Sequence, residues 1–270
     1  MKISIVIPIK NRKENIDKSI KSILNQTFQD YEIVLIDYGG NDNAKEIIDN
    51  IGDNRIKYFY VDEDGWNESR AKNIGIRKAK AEWIICMNAD ITLKENALNN
   101  CYKYFILYGK DYFYQSQRLD ILENGEIDIV PEGFAVGDFQ AGHISMWSKV
   151  RGYYEKLNGC GWLDMNLAKR TLKAGYKHIW MTLDVVNYHN WHGEVNRDLQ
   201  YINGIKSLLN SSYAPNGEDW GSDKPIKKRK KTLIEKKIIL FLSLIPVYLI
   251  IKPMRFTRIS APIQRIIEKI

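Results

Sequence analysis

Several residue types are scarce in this 270-residue chain, and each shortage excludes something. There are three cysteines, Cys86, Cys101 and Cys160, and none forms a CxxC pair. An odd, scattered set argues against a disulfide framework and points to a reducing compartment. Histidine occurs four times, at His143, His178, His189 and His192. The apolar run from Ile238 to Ile251 is fourteen residues long, short of the roughly 20 that a membrane span needs. The opening MKISIVIPIK is closed by Pro8 and Lys10 and reads as a first strand rather than a signal peptide. No internal repeat is visible, and PIKNRKEN, which follows that strand, contains no glycine.

What is present describes a folded body with a separate tail. Hydrophobic residues make up 44% and charged residues 27%, ordinary values for a chain able to bury a core. The net charge of +7 is unevenly placed. Residues 224–270 hold 13 basic and 2 acidic side chains, leaving 27 basic against 31 acidic in the rest. The body is therefore mildly acidic. A nucleic-acid enzyme would carry positive charge across its working face, so no nucleic-acid partner is expected. A basic tail on such a body fits electrostatic attachment instead.

Along the body, strand-like runs alternate with helical ones. Strands are expected at 3–9, 31–37, 56–61 and 82–88, and helices at 15–25, 43–50, 68–80 and after 94. This order predicts right-handed crossovers, a mostly parallel Rossmann-like sheet flanked by helices, and an α/β fold. Residues 111–130 read as a hairpin turning at Asn124-Gly125. A helix over 162–174 ends before Gly175, and a further strand lies within 176–188. A boundary is expected near Ser222, giving a domain of 1–222 with halves 1–110 and 111–222, and a tail of 223–270. In open α/β sheets ligands gather at the carboxyl ends of strands. That places Pro8 to Arg12, Asp37 to Gly40, and Asn88 and Asp90 at a common rim. In isolation, Asp90 or Thr92 can equally cap a following helix.

Four blocks decide between these readings. SIVIPIKNRKENIDKSIKSILNQTFQDYEIVLIDYGGND, WNESRAKNIGIRKAKAEWIICMNADI, NGCGWLDMNLAKRTLKAGY and VVNYHNWHGE resemble, in this order, the family 2 glycosyltransferases of GT-A fold. The third is similar to the galactosyltransferase-like segment of related transferases. Asn88-Ala89-Asp90 stands in the place of the family's DxD motif. The resemblance implies that Asp90 ligates Mn²⁺ or Mg²⁺, with His189, or failing it His192, completing the metal site. Asn88 takes the place of a ribose-contacting Asp. Pro8, Asn11, Arg12, Asp37, Tyr38, Arg70, Lys72 and Asn73 would bind the nucleotide-sugar, with a UDP-sugar favoured, although Tyr38 replaces an Asp that meets the base. GWLDMN resembles WGxEDxD: Asp164 retains the general base, Leu163 replaces Glu and Asn166 replaces Asp. Trp162, Leu163 and His143 would face the acceptor. For Asp164 the structural alternative is a helix N-terminal charge; for the Arg and Lys residues it is a solvated helix face.

The tail pairs KPIKKRKKTLIEKK with the uncharged Ile238 to Ile251, broken by Pro246. It reads as a helical segment lying on anionic lipid at the cytoplasmic face of a membrane, as a helix pair packed on protein, or as a single bent span. The function expected from all this is inverting, metal-dependent transfer of a sugar from a nucleotide-sugar to a glycan or lipid-linked glycan in surface polysaccharide synthesis. A nucleotidyltransferase is the alternative enzyme, disfavoured by the missing Gly-rich loop. A degenerate nucleotide-sugar-binding protein is the non-catalytic alternative.

Overall fold

A computed structural model describes residues 1–132, 137–157, 159, 161–190 and 200–224. Strands β1 (Ile3–Ile9), β2 (Tyr31–Tyr38), β3 (Ile56–Val61) and β4 (Trp83–Met87) alternate with helices α1 (Lys13–Leu24), α2 (Ala44–Ile51) and α3 (Glu68–Lys78). After β4 come β5 (Ile91–Leu93), α4 (Ala97–Tyr108), β6 (Tyr112–Ile121), β7 (Ile127–Ile129) and β8 (Phe139–His143). Then follow α5 (Ile144–Val150), α6 (Leu163–Lys173), β9 (Lys177–Asn190) and α7 (Gln200–Leu209). The described strands form one sheet in the order β3-β2-β1-β4-β8-β6-β9-β5, with β7 paired to β6.

The sheet has two characters. β1 to β4 are mutually parallel, as the helical crossovers require. β8 runs antiparallel to both β4 and β6, and β5 antiparallel to β9, whereas β9 is parallel to β6. The predicted hairpin is present as β6 and β7. β1 is buried along its whole length, because helices cover both faces of the sheet. Its alternate residues feed different cores: Ile3, Ile5 and Ile7 pack with Ile16, Ile20 and Ile23 of α1, and Val6 packs with Ile74 of α3, Trp147 and Trp220. On the second face α3 is covered on both sides, so even its charged residues Arg70 and Lys72 are buried. Among the described residues no helix is long and apolar enough to cross a membrane. The tail from 225 onward lies outside the described residues.

Candidate active site

The chain leaves β4 at Met87, and Asn88, Ala89 and Asp90 carry it into β5. Because β5 intervenes, and Asn96 occupies the N-cap of α4, neither Asp90 nor Thr92 caps that helix. Sheet register then builds a cluster. β9 sets His189 opposite Ile91 on one side and Asp120 on the other. His189 Nε2 is 3.8 Å from Asp90 Oδ2, and its Nδ1 is 3.2 Å from Asp120 Oδ1. Arg118 lies at the centre of the cluster. Its Nε donates to Asp120 at 2.5 Å, its Nη1 pairs with Asp138 at 2.9 Å, and its Nη2 lies 2.9 Å from His189 Nδ1. The main-chain N–H of Asn88 donates to the carbonyl of Asp138 at 3.1 Å.

The opposite wall comes from α3 and α6. Asp164 lies in the first turn of α6. The Lys72 ammonium is fully buried, 2.7 Å from Glu68 one turn earlier and 4.0 Å from Asp164 Oδ1. Electrostatics ties the two walls into one cleft. Burial pushes the Asp138 carboxyl up to about 7, with Arg118 opposing and the charges of Asp90 and Asp164 adding to the rise. Burial likewise raises Asp164 to about 6, against the pull of Lys72 and with a further push from Glu68. For Lys72, burial alone would favour the neutral amine, but Glu68 and Asp164 outweigh it and raise its pKa. Asp90, Asp138 and Asp164 therefore share a cleft that Arg118 and Lys72 partly neutralise.

Four of these residues escaped the sequence reading. Arg118 and Asp120 carry a signal in retrospect, being two apart on a strand and so on one face. Glu68 carries the helical i,i+4 signal toward Lys72, which the sequence reading had already named. Asp138, in the loop before β8, has no local signature and reaches the cleft only through the pairing of β4 with β8.

On the nucleotide side, Pro8 is buried within β1 and Arg12 holds the N-cap position of α1. Asn11 adopts a positive φ of 54° and accepts from the Asn41 N–H at 2.8 Å. Asp37 is buried, its two oxygens accepting from the Gly40 N–H and the Tyr58 hydroxyl. Tyr38 packs edge-on to Trp66, with its hydroxyl 3.4 Å from Arg70. Arg70 pairs with Glu63 at 2.7 Å and donates to the carbonyls of Ser222 and Lys224. Asn73 is buried and spends its amide on the main chain of Tyr153 and on Glu155. Asn88 Oδ1 is buried with no hydrogen-bond partner.

On the acceptor side two expectations are corrected. His143 faces Trp83 in the β4–β8 register, at the opposite end of β4 from Asn88, and its ring caps α5 by accepting from the Ser145 N–H. It therefore stands away from the cleft. Leu163 is 2% exposed in the apolar cluster with Trp147 and Leu167; an aliphatic side chain at the first position of α6 turns inward where a Glu would reach out. Trp162 is 42% exposed with φ 66°, and Gly204 of α7 leaves room for its indole. Asn166 links Arg170 to Ser207 in the core. His192 lies outside the described residues.

Among the described residues no three His, Cys, Asp or Glu side chains form a ready-made metal cage. Asp90 and His189 are nevertheless a hard oxygen and an imidazole nitrogen close enough to bridge a cation. Two protein ligands suffice for Mg²⁺ or Mn²⁺ when a diphosphate and water supply the others. The ring of His189 is held on its Nδ1 side by the Arg118 guanidinium, which donates to it, with Asp120 alongside. The donor set thus fits a divalent ion.

The Glycosyl transferase family 2 profile matches residues 4–158. Over 103 residues the chain is 38% identical to glycosyltransferase GlyG of Streptococcus pneumoniae, covering 37% of this chain and 34% of that protein. Over 100 residues it is 35% identical to a Campylobacter jejuni GalNAc(5)-diNAcBac-PP-undecaprenol beta-1,3-glucosyltransferase, covering 36% and 32%. The chain thus matches about a third of the length of these curated relatives. Staphylococcus aureus TarS superposes with a TM-score of 0.62 at 14% identity, over 82% of this chain and 68% of that one. GalNAc-T7 in complex with UDP, GalNAc and Mn²⁺ gives 0.64 at 16%, over 77% and 47%. The fold is GT-A, and the chain belongs to glycosyl transferase family 2.

Proposed function

We propose that this protein transfers a sugar, with inversion, from a nucleotide-sugar to a glycan or lipid-linked glycan acceptor during surface polysaccharide synthesis. The observation that supports the reading is that the segment Gly137–Asp138 is flanked on one side by the Asp164 carboxylate and on the other by the turn that carries Asp90 to His189. Asp164 is the general base. It takes the proton from an acceptor hydroxyl as that oxygen attacks the anomeric carbon and the bond to the diphosphate breaks. Asp164 Oδ1 is buried without a hydrogen-bond partner, which leaves a lone pair for that proton. Asp90 and His189 would hold Mn²⁺ or Mg²⁺, which supplies charge stabilisation to the departing nucleoside diphosphate.

Pro8, Asn11, Arg12, Asp37 and Tyr38 form the base and ribose end of the donor site, with Asn88 nearer the sugar. The bound UDP and UDP-GlcNAc in TarS structures favour a uridine donor. Trp162 offers an aromatic face to the acceptor. The undecaprenol-linked substrate in the name of the Campylobacter relative supports a site of action at the cytoplasmic membrane face. Attachment there rests on the charge of the tail.

The test is a panel of nucleotide-sugars with Mn²⁺, following nucleoside diphosphate release. One donor turns over, EDTA stops it, and Asp164→Asn lowers kcat by about 10²–10⁴-fold. Full transfer by Asp164→Asn removes the base assignment, and turnover in EDTA removes the metal.

A further inference from the structure

Two cations of α3 are buried: Arg70 pairs with Glu63, and Lys72 faces Asp164. The Lys72 side chain is completely buried, with Nζ 2.7 Å from Glu68, 3.4 Å from the Gly137 carbonyl and 5.1 Å from the Tyr153 ring centroid. An ammonium so enclosed cannot swing out to a phosphate without breaking a buried ion pair, whose loss is strongly destabilising. Its remaining charged neighbour is Asp164, at 4.0 Å. That distance is beyond hydrogen-bond reach but well within Coulombic reach. The ammonium therefore acts on the Asp164 anion while leaving Oδ1 unbonded.

We propose that Lys72, anchored by Glu68, is a positioning residue that keeps the Asp164 carboxylate charged and open to the acceptor proton inside a buried cleft. The proposal rests on the reading of Asp164 as general base. The groups facing Asp164 are Lys72 and Glu68 from α3, Arg118 from β6, Asp138 from the loop before β8, Cys86 from β4 and Tyr153 after α5. Of these, Arg118 is already paired with Asp120 and Asp138. Lys72 is the main charge that opposes the effect of burial on Asp164. Glu68 has two opposed effects: it holds the ammonium in place, and its own charge works against that of Asp164.

The experiment is a carbon-13 titration of aspartate carboxyls in the full, metal-free chain, with the Asp164 resonance assigned by its loss in Asp164→Asn. In Lys72→Met the Asp164 midpoint rises by about one pH unit or more. In Lys72→Arg it stays near the wild-type value. The acid limb of kcat against pH moves with the midpoint in Lys72→Met and stays in Lys72→Arg, a joint shift that a merely structural role does not produce. Equal midpoints in wild type and Lys72→Met overturn the proposal, as does a kcat limb that stays while the midpoint moves. Should Lys72→Met fail to fold, Lys72→Gln is titrated in its place with the same two outcomes. In the donor assay, a raised donor KM for Lys72→Met with an unmoved midpoint reassigns Lys72 to the phosphates and overturns it as well. Activity in Asp164→Asn sinks the base reading without touching these midpoints, so the two failures are separable.

Discussion

At the scale of single residues, the site holds two carboxyls whose pKa burial raises. Asp138 has a folded pKa of about 7 against 3.8 for the free side chain. Its sign follows from linkage: the stability it contributes is complete below about pH 4 and is lost as pH rises through 7. Asp138→Asn, unfolded by urea in EDTA, is therefore expected to match wild type near pH 4. At pH 8 it exceeds wild type by on the order of a few kcal/mol. Asp164 acts in the opposite direction for catalysis, because a base must be ionised. kcat is expected to rise with pH through about 6, the value its burial sets against Lys72, as read from a pH profile at saturating donor. Of these residues, Asp90, His189 and Asp164 were legible because they sit in contiguous motifs. Asp138 and Arg118 were not, since their roles arise from which strands pair, and no local spacing encodes that.

At the scale of elements, β1 through β4 and the helices between them fall where hydrophobic periodicity put them, to within a few residues. Each is a local pattern of burial at period two or 3.6, which the chain records directly. The later strands were less legible. The fourteen-residue β9 runs beside both β5 and β6 with a register break at Ser116/Gln117, and only long-range pairing tells where it lies. The seating of α3 offers a test. A methyl group at Gly75 would overlap Val6 of β1 and crowd Ile36 of β2. Gly75→Ala gains up to about 1 kcal/mol of helix propensity, but forcing α3 off the sheet costs about 1–3 kcal/mol, more than that gain in the typical case. The variant is expected to be less stable by urea titration. It is also expected to bind donor less tightly, because α3 carries Arg70.

At the scale of the whole molecule, charge divides the chain where the described residues end. The body is slightly acidic, and residues 224–270 carry a surplus of eleven positive charges. Each basic residue near an anionic surface contributes about 1 kcal/mol, and the attraction fades within a Debye length. The full chain is expected to float with vesicles containing anionic lipid at low salt, to detach as salt rises, and to stay in solution when residues 225–270 are removed. Flotation of the shortened chain would place the attachment in the body. The Arg70 guanidinium connects this scale to the first. It grips the carbonyls of Ser222 and Lys224 with one nitrogen and faces Glu63 and Tyr38 with the other. The segment Ser222–Lys224 is thus latched through Arg70 to Glu63 and to Tyr38, the ring proposed to meet a donor's base. Tension on the chain beyond Lys224 is delivered first to the Arg70–Glu63 pair, and through it to the turn that leads into α3.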